Sequence, residues 1–344
     1  MKVLVATAMY PTPERPAFGT FVRTQVESLR LIGVDAEPFV LDGRSRKAMY
    51  ARAVPRLRRR LARGDVDVVH AHYSYVGAVA RMQRAVPVVL TFHGDDLLGT
   101  IGTDGRQTAL SRGIAAGGKL LARLVDAVVV QNRTMADVLH GHPSVHVIPH
   151  EVDLDLFAPT DRDEARRTLG LDLERRYLLF ASPPDIPVKR FPLAREVADD
   201  LRRRDPSVEL LVVFKETQER LALYMSAADA LVFPSYQEGS PNIVKQAMAC
   251  NLPIVATDVG DVAEVIAGTE GCVVVEPTVQ GFVSPLEAIL ESRARTTGRD
   301  AVRHLAGPLV AARLNDLYTE LVERRRPEAV SGVRPETVST RDGV

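Results

Sequence analysis

The chain has 344 residues, no formal net charge and 46% hydrophobic residues, a globular composition spread over enough length for two domains of roughly 150 residues each. Balanced charge argues against nucleic acid as the main partner, because such proteins carry a basic excess. No stretch of about 18 apolar residues is present to span a membrane, and two cysteines, Cys250 and Cys272, do not make a disulfide framework or a zinc site.

The opening MKVLVATAMYP has one Lys and a short apolar stretch, which Tyr10-Pro11 breaks without a small-residue cleavage site. A first β-strand is expected there rather than a secretion signal. With so few cysteines, the expected compartment is the reducing cytosol. PTPERPAFGTFVRTQVESL follows, with a helix expected to bury Val22, Val26 and Leu29. Gly19, just before that helix, either lets a phosphate approach the backbone or simply makes a turn. ARAVPRLRRRLAR holds six arginines between Arg52 and Arg63 and no acid. It reads as a solvated helix, or as one that rests peripherally on anionic lipid at the inner membrane surface. DVDVVHAHY and PVVLTFH are the next strands, with His70 and His72 as structural or rim groups at the end of the first. LTFHGDDLLG then sets His93, Gly94, Asp95 and Asp96 after a strand. The two acids are sequence neighbours and no further ligand spacing is evident, so no metal is expected. DAVVVQN is a fourth strand.

IPHEVDLDLFAPTDRDEARR, residues 148 to 167, carries Pro149 and Pro159 and reads as the joint between domains. Beyond it the alternation restarts with RYLLFAS, VELLVVF, ADALVFPS, LPIVATD and CVVVEP. Short apolar runs separated by helices are parallel strands covered on both faces, so the fold class is α/β, doubly wound, twice over. The expected domains are 1–156 and 157–308. A last helix at 309–326, with an apolar stripe of Leu309, Ala312, Leu314, Leu317 and Leu321, is expected to cross back to the first domain. The polar tail 327–344 is expected to be disordered. Two such domains face each other across a cleft at the carboxyl ends of their strands, where ligands bind in this architecture.

Two loops of the second domain carry chemistry. FASPPDIPVKRF sets Lys189 and Arg190 at a helix start, as anion ligands or as solvent-facing charges. After the strand ADALVFPS comes QEGSPNIVKQAMA, with Ser240 expected as N-cap and Pro241 as the first helical residue. The amides of Asn242, Ile243 and Val244 would then be unpaired and favour an anion such as a diphosphate. Glu238, beside Gly239, suits hydroxyls carried next to that anion. Gln246 stands eight positions after Glu238, roughly 8 Å along the helix axis, and suits hydroxyls on the other side. A diphosphate flanked by two polyols is a nucleotide sugar. The other reading is a solvated capping loop with Gln246 on its wet face.

EGSPNIVKQAMA resembles the donor-binding loop and helix of the retaining glycosyltransferases of family 4, and the likeness runs from the first strand to the last helix. It implies the GT-B fold, two doubly wound Rossmann-like domains facing across a cleft, the first binding the acceptor and the second the donor. The family frame is like E-G-x-x-x-x-x-x-E-A-M-A. Glu238 fits the first acid, which contacts the sugar. Gln246 replaces the second, which binds the nucleotide ribose. Lys189 matches a family Lys that neutralises the diphosphate. The family's Arg a few residues earlier is missing, and Arg190 is its candidate substitute. Gly19 falls in the family's glycine loop, near the donor phosphate. His93 falls in a His-Gly segment lining the sugar pocket, which implies sugar positioning or transition-state support. The family's hinge Ile-Pro-Asn-Gly-Val-Asp reads here with His150 and Glu151 in place of Asn and Gly. The implied function is retaining transfer from a UDP- or GDP-linked sugar to a lipid, a polysaccharide or a small natural-product metabolite, with no metal or other cofactor. Glu238, His93 and Lys189 are the implied catalytic residues. Gly19, Lys189, Arg190, Glu238, Gly239, Ser240, Asn242, Ile243 and Gln246 are the implied donor ligands. The rival readings are a non-catalytic partner subunit of the same fold and a nucleotide-sugar epimerase. A hydrolase would need paired carboxylates or a Ser-His-Asp order, and neither is evident.

Overall fold

A computed structural model describes residues 1–16, 18–41, 48–102 and 107–325. The tail expected at 327–344 lies outside the described residues. The first half forms a parallel sheet of six strands: β1 Lys2–Thr7, β2 Asp35–Val40, β3 Val68–His72, β4 Val88–Thr91, β5 Ala127–Val130 and β6 Val145–Val147, in the order β2-β1-β3-β4-β5-β6. The second half forms a parallel sheet of five: β7 Arg176–Phe180, β8 Val208–Val212, β9 Ala230–Phe233, β10 Ile254–Ala256 and β11 Cys272–Val274, in the order β11-β10-β9-β7-β8.

The apolar runs have a packing cause. Alternate side chains of a strand point to opposite faces. Leu4, Val69, Leu90 and Val128 therefore enter one core, with Leu57 and Val79 from helices. Val3, Val68, Val89 and Val129 enter another, with Val22, Val26 and Leu29 of the Thr20–Leu31 helix. Covered on both faces, the central strands read as nearly continuous apolar runs, interrupted by His70 and His72 in β3 and Thr91 in β4. Each fully buried Val or Leu contributes about 1.5–3 kcal/mol. The second sheet is sandwiched likewise, with Leu179, Leu231 and Ile254 on one side and Leu178, Val232 and Val255 on the other.

Two strands were not expected, β2 and β6, and both are edges of the first sheet. β2 reads DAEPFV, with an exposed Asp35 and a Pro38 that cannot donate to a ladder; such a strand survives only at an edge. The last helix, Gly307–Arg325, does pack on the first domain, but through Val310, Ala311, Leu314, Leu317, Tyr318 and Leu321. Leu309 is 55% exposed and Ala312 is exposed, so the stripe lies one position away from the expected one at that end. The arginine-rich segment lies on the Ala48–Leu61 helix, which turns one of its cations inward. Arg60 is 8% exposed and bonds Glu37 (2.6 and 2.8 Å) and Asp65 (2.7 Å). Arg58 donates to the Met82 carbonyl at 2.7 Å, and Arg56 lies over the Phe39 ring.

The strand orders reverse between β1 and β3 and between β7 and β9. A reversal opens a crevice at the carboxyl ends of the strands beside it. β3 itself ends on His72, the loops leaving β1 and β4 lead to Gly19 and His93, and those leaving β7 and β9 lead to Lys189 and Glu238. Loops from both crevices meet at one cleft.

Candidate functional site

The two walls of the cleft touch backbone to backbone. Gly94 has φ +120°, and a Cβ there would lie 3.1 Å from the Gly239 Cα of the other domain. Asn132, whose Oδ1 caps the Arg133–Asp137 helix, donates its Nδ2 to the Gly239 carbonyl. Gln237 donates to the Gly99 carbonyl (2.9 Å) and accepts from the Ile101 amide (3.2 Å). At the mouth, Gly19 is the N-cap residue of the Thr20–Leu31 helix, with φ +74°. A Cβ there would sit 2.4 Å from the Met9 carbonyl, so the left-handed turn and the close approach both require glycine.

On the second-domain wall Lys189 Nζ meets Glu238 Oε1 at 2.6 Å, with the two side chains 24% and 14% exposed. The loops after β7 and β9 thus deliver an ammonium and a carboxylate to one point. Arg190 makes contacts of its own, and its Nη1 is buried without a hydrogen-bond partner among the described residues. Its backbone is left-handed (φ 53°), its guanidinium stacks 4.2 Å from the Tyr236 ring centroid, and Nη2 donates to the Pro277 carbonyl. The helix after Glu238 is Asn242–Ala249, one residue later than expected, with Pro241 as its N-cap and no side-chain cap. Ser240 is not the cap. Its hydroxyl donates to Asp261 (2.6 Å) and accepts from Lys245. The Val244 amide donates to the Pro241 carbonyl at 3.2 Å. The uncapped amides at the cleft are those of Asn242 and Ile243, a start that favours an anion. Gln246 lies four residues into the helix, about 6 Å along its axis. Its Nε2 donates to Gln218 Oε1 at 3.2 Å.

The first-domain wall is a chain of imidazoles. Gln25 Oε1 is 3.0 Å from His72 Nε2, His72 Nδ1 is 3.1 Å from His93 Nε2, and His93 Nδ1 is 3.0 Å from His150 Nε2. The Gln25 oxygen can only accept, so one proton order satisfies the chain: Nε2 of His72, His93 and His150 donates, and Nδ1 of His72 and His93 accepts. Burial keeps these rings neutral, pushing His72 down to about 3 and His93 and His150 well below the usual histidine range. Phe21 packs on the rings of His93 (4.9 Å) and His150 (5.1 Å). His70 belongs to the wall behind, between Tyr318 and Thr91, both at 2.6 Å. Asp96 has its carboxylate oxygens on the amides of His93 (2.9 Å) and Ser74 (3.0 Å), fixing the His93 loop. Both ring nitrogens of His93 are occupied, which leaves its ring edge and backbone for any further contact.

Sequence reasoning brought Glu238 and Lys189 to one loop cluster but did not join His72 and His150 to His93. It also missed the hinge acid. Glu151 is 9% exposed, neither carboxylate oxygen has a hydrogen-bond partner among the described residues, and burial pushes it up to about 7. Lys245, 1% exposed, pulls it the other way and is itself lowered by burial. The signal available in the sequence was the pair of side chains in the hinge, His150 and Glu151, where the resembling family has Asn and Gly.

Comparison with known proteins bears on this cleft. A model described as Glycosyltransferase Family 4 matches residues 2–156, and one described as Glycosyl transferases group 1 matches residues 191–292. D-inositol 3-phosphate glycosyltransferase 1 of Catenulispora acidiphila is 30% identical, over 72% of this chain and 69% of that protein. A putative teichuronic acid biosynthesis glycosyltransferase, TuaC of Bacillus subtilis, is 27% identical, over 76% of this chain and 82% of its own. Among solved structures, sucrose-phosphate synthase from Thermosynechococcus elongatus superposes with a TM-score of 0.77 at 20% identity, covering 94% of this chain and all of that one. Anabaena HepE in complex with UDP superposes at 0.65 and 15% identity, covering 93% of this chain and all of that one. The two facing sheets are thus a GT-B fold. With one family model on the sheet that carries the histidines and a second on the domain that carries Glu238, the chain belongs to glycosyltransferase family 4.

Proposed function

We propose that this glycosyltransferase takes a nucleotide-diphosphate sugar, UDP- or GDP-linked, as donor and transfers its sugar with retention to a lipid, polysaccharide or small-metabolite acceptor. The observation that carries the reading is the Lys189–Glu238 pair at 2.6 Å, set beside the uncapped start of the Asn242–Ala249 helix. Lys189 and the amides of Asn242 and Ile243 stabilise charge on the departing diphosphate. Glu238 orients the sugar. The anomeric carbon–phosphate oxygen bond breaks, the acceptor oxygen bonds the same face of that carbon, and its proton passes to a phosphate oxygen. Little bond-making falls to the protein, so positioning and water exclusion supply the acceleration. His93, held by two other imidazoles and by Asp96, keeps the sugar side of the cleft rigid.

The acceptor side fits a cavity of about 230 Å³ beside His93, lined by Met9, Tyr50, Tyr73, Tyr75, Asp95 and Thr100 among others. Tyr73 has φ 71° and stacks 4.3 Å from the His93 ring, which couples this cavity to the donor side. Peripheral contact with anionic lipid through Arg52–Arg63 belongs to the same proposal. With Arg60 turned inward, the exposed Arg52, Arg59 and Arg63 would make it; flotation with anionic vesicles tests it.

Calorimetric titration with UDP, GDP, ADP and TDP tests the donor reading. One nucleotide is expected to bind in the micromolar range, weakened about tenfold by Lys189→Ala, the loss of one charge-assisted bond. Failure of every nucleotide to bind would sink the reading and leave the non-catalytic partner subunit.

A further inference from the structure

The two faces of the first sheet are covered by helices of different character. On one face the Thr20–Leu31 and Gly307–Arg325 helices mix their charges, with ion pairs Arg23–Glu27 (3.7 Å) and Arg324–Glu320. On the other lie Ala48–Leu61, Ser74–Arg81 and Ala109–Ala122, and these three contain arginine and lysine but no Asp or Glu. They form one layer. Arg58 of the first donates to the Met82 carbonyl just past the second, and Arg81 of the second donates to the Leu124 carbonyl just past the third. The same layer carries a ridge of apolar side chains. Leu110 and Leu120 of the third helix, with Leu124 and Met82 just past helix ends, are each more than half exposed. Leu110, Gly113, Gly117 and Leu120 recur at helical spacing on its outer side.

Single exposed leucines are ordinary on a protein surface. Cations without acids around an apolar ridge match the boundary between headgroups and acyl chains of an anionic bilayer. Nucleic acid would not use the leucines, and a protein partner of mixed charge would not need helices free of acids. The cavity assigned to the acceptor lies at the start of all three helices, where Tyr50, Tyr75, Ser111 and Ile114 line it and the Tyr50 and Tyr75 rings stack at 5.7 Å. We propose that this three-helix layer seats on an anionic membrane, with Leu110 and Leu120 entering the acyl boundary, so that the cavity receives a lipid-anchored acceptor from the bilayer. The role of the cavity rests on the transferase reading above; the membrane seat does not.

The chain has no tryptophan, so an introduced one reports its own surroundings. In flotation, the wild-type protein is expected to bind vesicles of phosphatidylcholine mixed equally with phosphatidylglycerol and to ignore phosphatidylcholine alone. Arg52→Ala with Arg59→Ala should weaken binding by about tenfold or more, and Leu120→Ser with Leu124→Ser by about tenfold. The fluorescence of Leu110→Trp should shift to the blue on the anionic vesicles. That of Leu31→Trp, exposed on the opposite face, should not. Absence of wild-type binding, or equal shifts at the two positions, would overturn the seat. Leucine variants that bind like wild type would overturn insertion of the ridge. Titration with UDP, GDP, ADP and TDP alongside separates the two readings. A protein that binds a nucleotide but ignores anionic vesicles loses this inference alone; one that seats on vesicles and binds no nucleotide loses the transferase reading and the acceptor role of the cavity.

Discussion

The two walls of the cleft solve different problems. The first-domain wall satisfies itself: Gln25, His72, His93 and His150 form one hydrogen-bonded row with both His93 nitrogens used, and Asp96 ties down the loop that carries it. The second-domain wall is charged and leaves backbone donors uncapped. Lys189 and Glu238 hold each other at the surface of the cleft, and the helix start at Asn242 has no side-chain cap. A wall with saturated hydrogen bonds is rigid and neutral. A wall with a close charge pair and uncapped amides keeps groups that suit a charged ligand under the proposed function.

The sharpest way to break this comparison is at Glu238. Glu238→Gln is expected to reduce sugar transfer by roughly 100-fold, the upper end for a lost charge-assisted bond, while the folded structure is unchanged by circular dichroism. A loss below threefold would mean that the second wall does not hold the sugar. Next comes the seam between the walls. Gly94→Ala forces a side chain into a φ of +120° and against Gly239. It is expected to cost about 1–3 kcal/mol in urea unfolding and to lower transfer; unaltered stability would show that the seam opens freely.

The saturated wall predicts an acid sensitivity. His70, His72, His93 and His150 are buried neutral, with folded values below the ordinary 6.5. Their contribution is complete above pH 6.5 and is lost as pH falls toward the folded values, about 3 for His72. Asp96 and Glu151, pushed up to about 7 by burial, act oppositely: they stabilise as neutral acids and lose that contribution as pH rises through 7. Four imidazoles against two carboxyls leave a net loss of stability below pH 6.5, each group contributing at most about 1.4 kcal/mol per pH unit. The urea midpoint should therefore fall from pH 6.5 to pH 5, and His150→Asn should flatten the slope. Glu151→Gln should raise the midpoint at pH 8. A midpoint independent of pH would contradict the neutral chain.

The smallest effect is expected at Arg190. Its guanidinium is stacked on Tyr236 and bonded to Pro277, so Arg190→Ala should leave nucleotide affinity within about twofold, as for substitutions away from a site. A tenfold loss would return Arg190 to the diphosphate site and make the second wall more cationic than its geometry indicates.

The difference between the walls also explains what could be read in advance. The central strands were legible because both their faces are covered, which leaves a continuous apolar run in the sequence. β2 and β6 were not, because an edge strand has solvent beside it and tolerates Pro38 and acids. Glu238, Gly239 and the Asn242–Ala249 helix were legible because loop, helix start and polar positions lie within a dozen residues. The histidine row was not, because Gln25, His72, His93 and His150 come from four separate segments, and only the stacking of β1, β3 and β4 beside the hinge makes them neighbours.

The sequence by itself determined the two doubly wound sheets, the cleft between them and the loops that face it, since these follow from local periodicity and turn chemistry. The tertiary structure alone decided which polar groups consume one another. Lys189 closes on Glu238, Arg190 turns to Tyr236, Ser240 bonds Asp261 instead of capping a helix, and Gln246 pairs with Gln218. Hydrogen bonds and ion pairs act over a few ångströms of space, and separation along the chain carries no information about that distance.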